Sequence, residues 1–286
     1  MKRNFGFTLM ETLISLALFG VLMLILFTAV NGFQRNWLKE YAKQNVNAQF
    51  VRAYRSIDTD VQGTNTTFFH DYKNTENPKE AGRRWFMFPI SKTETNTSPG
   101  APPGSISGVT SDGYPIWTHV IVYHLEQAPK DHLCPKDNPE QLNDICPHKL
   151  LIRHEIKLAM PPRTTELGDI NCNTYMFELA KKIPEIIAAK SKSTIYVTFP
   201  VATLSGNYDV TDRRVIETDI VDLTVDSSHD RRVQFNLKIL RTIDAQKYIT
   251  IGTTPLVEIT PEGSTMTADA KKYMEETSWI TLTNNN

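Results

Sequence analysis

The chain has 286 residues and a formal net charge of −1, with 31 Lys and Arg against 32 Asp and Glu. Charges this evenly balanced, with no basic run and no aromatic-basic interleaving, give no electrostatic footprint for nucleic acid. Lys2 and Arg3 open a short polar leader that ends at Gly6. From Phe7 to Val30 the one charged residue is Glu11. The uncharged run Thr12 to Val30 is long enough to cross a hydrocarbon core of about 30 Å as a helix. The positive-inside tendency then puts the first residues in the cytoplasm and the rest of the chain outside. Asn31-Gly32-Phe33-Gln34-Arg35 offers none of the small residues that a secretory cleavage site needs. An ordinary anchor leaves Glu11 unexplained, because a carboxylate at the centre of a membrane helix costs about 2.5–3.5 kcal/mol on insertion scales.

Beyond Val30 the helix is expected to continue. Phe33, Trp37, Tyr41, Phe50, Tyr54, Ile57 and Val61 recur at helical steps among Arg35, Lys39, Glu40, Lys43, Arg52 and Arg55. This is an amphipathic stripe, and no proline occurs before Asn77. A single helix from about Phe7 to about Gln62 follows, closed by Gly63-Thr64-Asn65. Its first half would lie in the membrane and its second half would pack on the remaining domain. Arg84 to Phe88 reads as a short strand with Pro89 near its end, and Ser91 to Pro115 as a Ser-, Thr-, Gly- and Pro-rich surface loop. Ile116 to Leu125 is a β-branched and aromatic strand, with Leu150 to Ile156 as its hairpin partner. Tyr175 to Lys182 reads as a short helix interrupted by Pro184, and Thr194 to Phe199 as a strand. Between Val215 and Val225 the alternation switches face, which predicts a bulge. Val233 to Ile239 alternates as a half-exposed strand. After Thr242 the pattern decays, with a helix expected over Ala268 to Glu276. The fold class is α+β: a long N-terminal helix packed on an antiparallel β-rich domain.

The three cysteines, Cys134, Cys146 and Cys172, all follow the apolar run, so they would face an oxidising compartment. Cys134 and Cys146 lie within a polar insertion, Gln127 to His148, between the two hairpin strands. A Cys134–Cys146 disulfide closing that insertion is the simplest reading. Zinc held by His132, Cys134, Cys146 and His148 is an alternative, although the ordinary ligand spacings are absent. A pairing that uses Cys172 is another. No hydrolase, phosphate-loop, zinc-protease or dinucleotide motif occurs, so no catalytic residue, cofactor or metal is expected. His119 and His124 lie at odd spacing on one strand and so face opposite sides. Asp209, Asp212, Asp219, Asp222, Asp226 and Asp230 lack EF-hand spacing and read as solvated loop and strand faces, with a calcium site as the alternative.

The stretch Gly6-Phe7-Thr8-Leu9-Met10-Glu11 and its apolar run resemble the N-terminal signal of type IV prepilins and type II secretion pseudopilins. The resemblance implies cleavage by a prepilin peptidase between Gly6 and Phe7 and N-methylation of Phe7. It also implies an assembly role for Glu11, which would pair with the charged amine of a neighbouring subunit's Phe7. This sequence has Leu26, Phe27 and Thr28 where major pilins usually carry a helix-breaking proline. A second, weaker resemblance lies in the hairpin, where Val122, Tyr123, Leu125, Leu151 and Arg153 match large minor pseudopilins of the J type and PilW-like minor pilins.

Together these imply a leader over 1–6, a transmembrane and filament-core helix over 7–30, its amphipathic continuation over 31–62, and an extracytoplasmic domain over 63–286. The implied protein is a single-pass cytoplasmic-membrane minor pilin or pseudopilin with a periplasmic domain. It would enter the tip or priming complex of a pilus, secretion pseudopilus or DNA-uptake filament. Its implied partners are other minor subunits, the major pilin, the prepilin peptidase and the inner-membrane assembly platform. The alternative is a membrane-anchored module whose domain binds a secreted substrate, DNA or a surface.

Overall fold

The computed structural model describes residues 8–64, 69–72, 85–90, 94–95, 106–107, 117–127, 149–157, 176–183, 185, 194–197, 206–229, 231–241, 257–260, 263–266 and 274–283. Two compact units divide at Asn45 and Val46. A single helix, α1 (Leu9–Val61), contributes to both. It spans what the periodicity predicts to within a turn. Over Leu9–Val30 its side chains are exposed, and it is the one described helix long and apolar enough to cross a membrane. Its C-terminus closes with Gly63 N–H donating to the Asp60 carbonyl at 3.3 Å and Thr64 N–H to that of Val61 at 3.1 Å.

The second unit is built on an antiparallel sheet of eight strands. Its strands are β1 (His70–Tyr72), β2 (Trp85–Ile90), β5 (His119–Gln127), β6 (Lys149–Lys157), β7 (Thr194–Val197), β8 (Gly206–His229), β9 (Arg232–Leu240) and β12 (Met274–Leu282). The order is β1-β2-β5-β6-β8-β9-β12, with β7 paired to β8. The β5–β6 hairpin pairs as expected, with Tyr123 opposite Arg153. Pro89 is tolerated in β2 because β1 stops opposite Met87, so no ladder bond is lost on that side.

Both faces of this sheet are covered at the β2-β5-β6 end, so these strands read as unbroken apolar runs rather than alternating ones. On one face, Val46, Ala53, Ile57 and Val61 of α1 pack against Phe86, Phe88, Ile121, Tyr123, Phe235 and Leu237. The rings of Phe86 and Tyr123 stack at 5.1 Å, and Phe69 stacks on Phe86 at 5.6 Å. On the other face, Met176, Leu179 and Ile183, from a helical segment starting at residue 176, cover Met87, Val122 and Ile156. Each such fully buried aliphatic or aromatic side chain contributes about 1.5–3 kcal/mol.

The expected irregularity in β8 is present. Register shifts fall on its β6 side between Lys149 and Ile152 and on its β9 side between Ile220 and Asp222. Asp219 takes φ 62°, a left-handed conformation that Asp tolerates better than most residues. Glu217 and Asp219, two residues apart, both reach α1, and the bulge lets the adjacent Ile220 join the same core face.

Three expectations need correction. Ala268 to Glu276 was expected to be helical, but Met274–Glu276 begin strand β12. Met and Glu are good helix formers, yet pairing along all of β9 and the packing of Trp279 on Phe235 outweigh local propensity. The stretch after Thr242 is not patternless: β10 (Val257–Thr260) and β11 (Gly263–Met266) pair. Within the expected Ser91–Pro115 loop, β3 (Glu94–Thr95) and β4 (Ile106–Ser107) form a short ladder.

Candidate functional site

Two places concentrate chemistry among the described residues: the start of α1, and the buried face where the end of α1 meets the sheet.

At the start of α1, the first helical N–H groups have no carbonyl four residues back and need other acceptors. Thr8 and Glu11 meet part of this need reciprocally. Thr8 N–H and Thr8 Oγ1 each donate to Glu11 Oε2 at 2.9 Å, and Glu11 N–H donates to Thr8 Oγ1 at 3.4 Å. This is a capping box, with the carboxylate also placed at the positive end of the helix dipole. Glu11 therefore has a structural task within its own chain. Thr-x-x-Glu before an apolar run is a sequence-level sign of it, and the sequence reading passed over Thr8. The remaining oxygen, Oε1, accepts no hydrogen bond among the described residues. Gly6 and Phe7, the expected processing residues, lie outside the described residues.

The second place holds Tyr123 and Arg153, singled out from the hairpin. Being directly opposite on β5 and β6, they project side by side toward α1. There they meet Asp60 and Ser56, one helical turn apart on the same face. Arg153 Nε donates to Asp60 Oδ2 at 2.6 Å and Nη2 to Oδ1 at 3.1 Å, a bidentate pair. Tyr123 O–H donates to Asp60 Oδ2 at 2.7 Å, and Ser56 lies 2.9 Å from the same phenol oxygen. On its other side, Arg153 Nη1 donates to Glu155 Oε2 at 3.0 Å. His119 Nε2 lies 3.7 Å from Glu155 Oε1.

The Arg153 side chain is 3% exposed and that of Asp60 13%. Burial alone would pull the guanidinium pKa down, but Asp60, and after it Tyr123 and Glu155, raise it on balance. Burial, then the Asp60 charge, hold the Tyr123 phenol well above its usual range. Arg153 thus stays charged and Tyr123 neutral near neutral pH, which suits a structural lock. Three further polar contacts join α1 to the sheet: Gln49 to Asp219 at 3.2 Å, Arg52 to Glu217 at 2.6 Å, and Thr281 to Asp58 at 2.9 Å.

Asp60 and Ser56 went unnoticed in the sequence reading. One signal was available: acids at the C-terminal end of a helix oppose its dipole, and the last turn of α1 carries Asp58 and Asp60 with no basic residue. An acid placed so unfavourably implies a tertiary partner, Arg153 for Asp60 and Thr281 for Asp58.

The opposite sheet face holds a different pair. As the odd spacing from His119 required, His124 points away from α1, where its ring stacks on His154 at 5.0 Å. Both are buried, and none of the four ring nitrogens has a hydrogen-bond partner. His124 Nε2 is 3.6 Å from Glu126 Oε2, which in turn accepts from Arg213 Nη2 at 2.7 Å. Desolvation, then the proximity of His124 and Arg213, push His154 down to about 3, and desolvation likewise lowers His124. Cys134, Cys146 and Cys172, with His132 and His148, lie outside the described residues. Among the described residues no cluster of His, Cys, Asp and Glu has the arrangement of a metal site.

Residues 1–27 match the family model of the prokaryotic N-terminal methylation motif. The motif supports a type IV pilin-like or pseudopilin-like protein. Such a protein is processed by a prepilin peptidase and assembles with other pilins, and the apolar start of α1 is consistent with a single-pass membrane anchor. Comparison of the chain with curated proteins and with solved structures returns no match.

Proposed function

We propose that this chain is a minor pilin or pseudopilin, a structural subunit without catalytic activity. In this reading it is cleaved after Gly6, methylated at Phe7, and assembled through α1 into the tip or priming complex of a pilus, pseudopilus or DNA-uptake filament. The observation that carries the proposal is the methylation motif over residues 1–27, with Glu11 in the fifth position after the Gly6–Phe7 bond. In this reading the leader stays in the cytoplasm and the β-rich domain is exported. Glu11 Oε1 receives the amine of a neighbouring subunit while Oε2 caps its own helix. The β-rich domain supplies partner-specific faces, and its bulk favours a low-copy position over a repeating shaft. Since the outermost tip subunit of type II systems lacks this glutamate, a chain that keeps Glu11 sits just below it.

The test is mass spectrometry of the membrane-extracted chain, with quantitative proteomics of sheared filaments. The expected result is an N-methylated Phe7 terminus and a copy number far below that of the major subunit. A terminus at Met1 or beyond residue 30, in cells with an active prepilin peptidase, would refute the processing. Abundance equal to the major subunit would refute the tip position.

A further inference from the structure

Immediately after the charge-free run, the exposed side of α1 carries Phe33, Trp37 and Tyr41 at four-residue steps, and the rings of Trp37 and Tyr41 stack at 5.5 Å with 12° between their planes. At about 100° per residue these aromatics share an arc of about 80° bordered by Glu40, while Arg35, Lys39 and Lys43 fall on the other side of the helix and leave the stretch net positive. One short stretch thus presents stacked aromatic rings on one side and cations on the other. We infer that this stretch is a docking surface for the anionic phospholipid headgroups of the leaflet through which the chain leaves the membrane, and that it sets the depth of the anchor. The inference rests on the reading of Leu9–Val30 as a membrane-spanning segment.

Geometry supplies the argument. Leu9–Val30 as a helix is about 33 Å long, which fills a hydrocarbon core of about 30 Å. The Cα atoms of Phe33 and Trp37 then lie about 4.5 Å and about 10 Å beyond its edge. Helical side chains lean toward the N-terminus by about a turn, so the Phe33 ring falls at the hydrocarbon boundary and the Trp37 ring within the headgroup layer. Rings with an apolar body and a polar tip favour that layer, which gives Trp37 Nε1–H and Tyr41 O–H their partners. Arg35, Lys39 and Lys43 meet the same layer from the other side, where anionic headgroups attract cations. Tyr41 stacked on Trp37 stiffens the stretch at the point where it enters water.

The test uses the full-length processed chain, labelled with 5-fluorotryptophan and reconstituted in vesicles of mixed zwitterionic and phosphatidylglycerol lipid. The Trp37→Phe variant assigns the Trp37 fluorine signal among the four tryptophans. The expected result is that a headgroup spin label broadens this signal several-fold more than a label deep in the acyl chain or a soluble gadolinium chelate. A label on phosphatidylglycerol should also act several-fold more strongly than the same label on phosphatidylcholine at equal mole fraction, and Arg35→Gln/Lys39→Gln/Lys43→Gln should abolish that difference. A chain that resists carbonate extraction but whose Trp37 signal responds mainly to the soluble chelate would overturn the inference alone and leave the stripe to a protein partner. Equal effects of the two lipid labels would overturn the anionic preference. Release by carbonate would overturn the anchor reading and the inference with it.

Discussion

Replacing Asp60 with alanine should loosen the end of α1 from the sheet. The carboxylate accepts two hydrogen bonds from Arg153 and one from Tyr123, and the guanidinium side chain is 3% exposed. After the substitution Arg153 keeps Glu155 at 3.0 Å and Asp212 at 3.5 Å, while the Tyr123 hydroxyl keeps only Ser56. Removing one partner of a buried ion pair costs about 3–5 kcal/mol when the other charge is left uncompensated, and because Glu155 stays on Arg153 the cost here should be about 2–3 kcal/mol. A domain of this kind has about 5–15 kcal/mol in all, so the loss is a large share of its stability. With a urea dependence of about 2–3 kcal/mol/M, the midpoint should fall by about 1 M. The assay is urea unfolding of a fragment beginning at Trp37, followed by tryptophan fluorescence, for the parent, Asp60→Ala, Arg153→Met and the double variant. Removing both charges should restore part of the loss, giving a coupling of about 2 kcal/mol or more. A loss below about 1 kcal/mol for Asp60→Ala, or additive single variants, would refute the lock as an energetic unit.

The buried histidines make stability fall in acid. His154 and His124 have lowered values when folded, so below about pH 6.5 the unfolded chain binds protons that the folded chain does not. Their contribution is fully present above that pH and is lost as pH falls toward 3; His154 alone should cost about 2 kcal/mol at pH 5 relative to pH 8. His154→Phe should flatten this slope in urea midpoints measured across that range, and an unchanged slope would show that His154 is not its source. Non-reducing peptide mapping of the chain should show Cys134 joined to Cys146. Closing a loop of this length is worth about 3 kcal/mol, so reduction should lower Tm, whereas free thiols with stoichiometric zinc would refute the disulfide. Glu11→Ala should leave the β-rich domain folded, with an unchanged urea midpoint, but lose filament incorporation. Normal incorporation would confine Glu11 to its capping role with Thr8.

The sequence by itself determined the features that depend on neighbouring residues. The charge-free run from Thr12 to Val30, the register of Glu11 to Gly6, and the helix to Val61 follow from composition and a local period. So do the β5–β6 hairpin, where β-branched and aromatic residues crowd both strands, and the bulge in β8, which broken alternation announces. The tertiary structure alone decided what depends on residues far apart in the chain. Nothing local says that Asp60 at a helix end will meet Arg153 and Tyr123 of a distant hairpin, or that His124 and His154 will stack with unpaired nitrogens. The strand Met274–Leu282 is the plainest case. Its first residues prefer a helix, and only the open edge of β9, with Trp279 packed on Phe235 and Thr281 bonded to Asp58, makes the extended form the more stable one. Local propensities amount to a few tenths of a kcal/mol per residue, while burial and ladder pairing in a formed sheet contribute several times that.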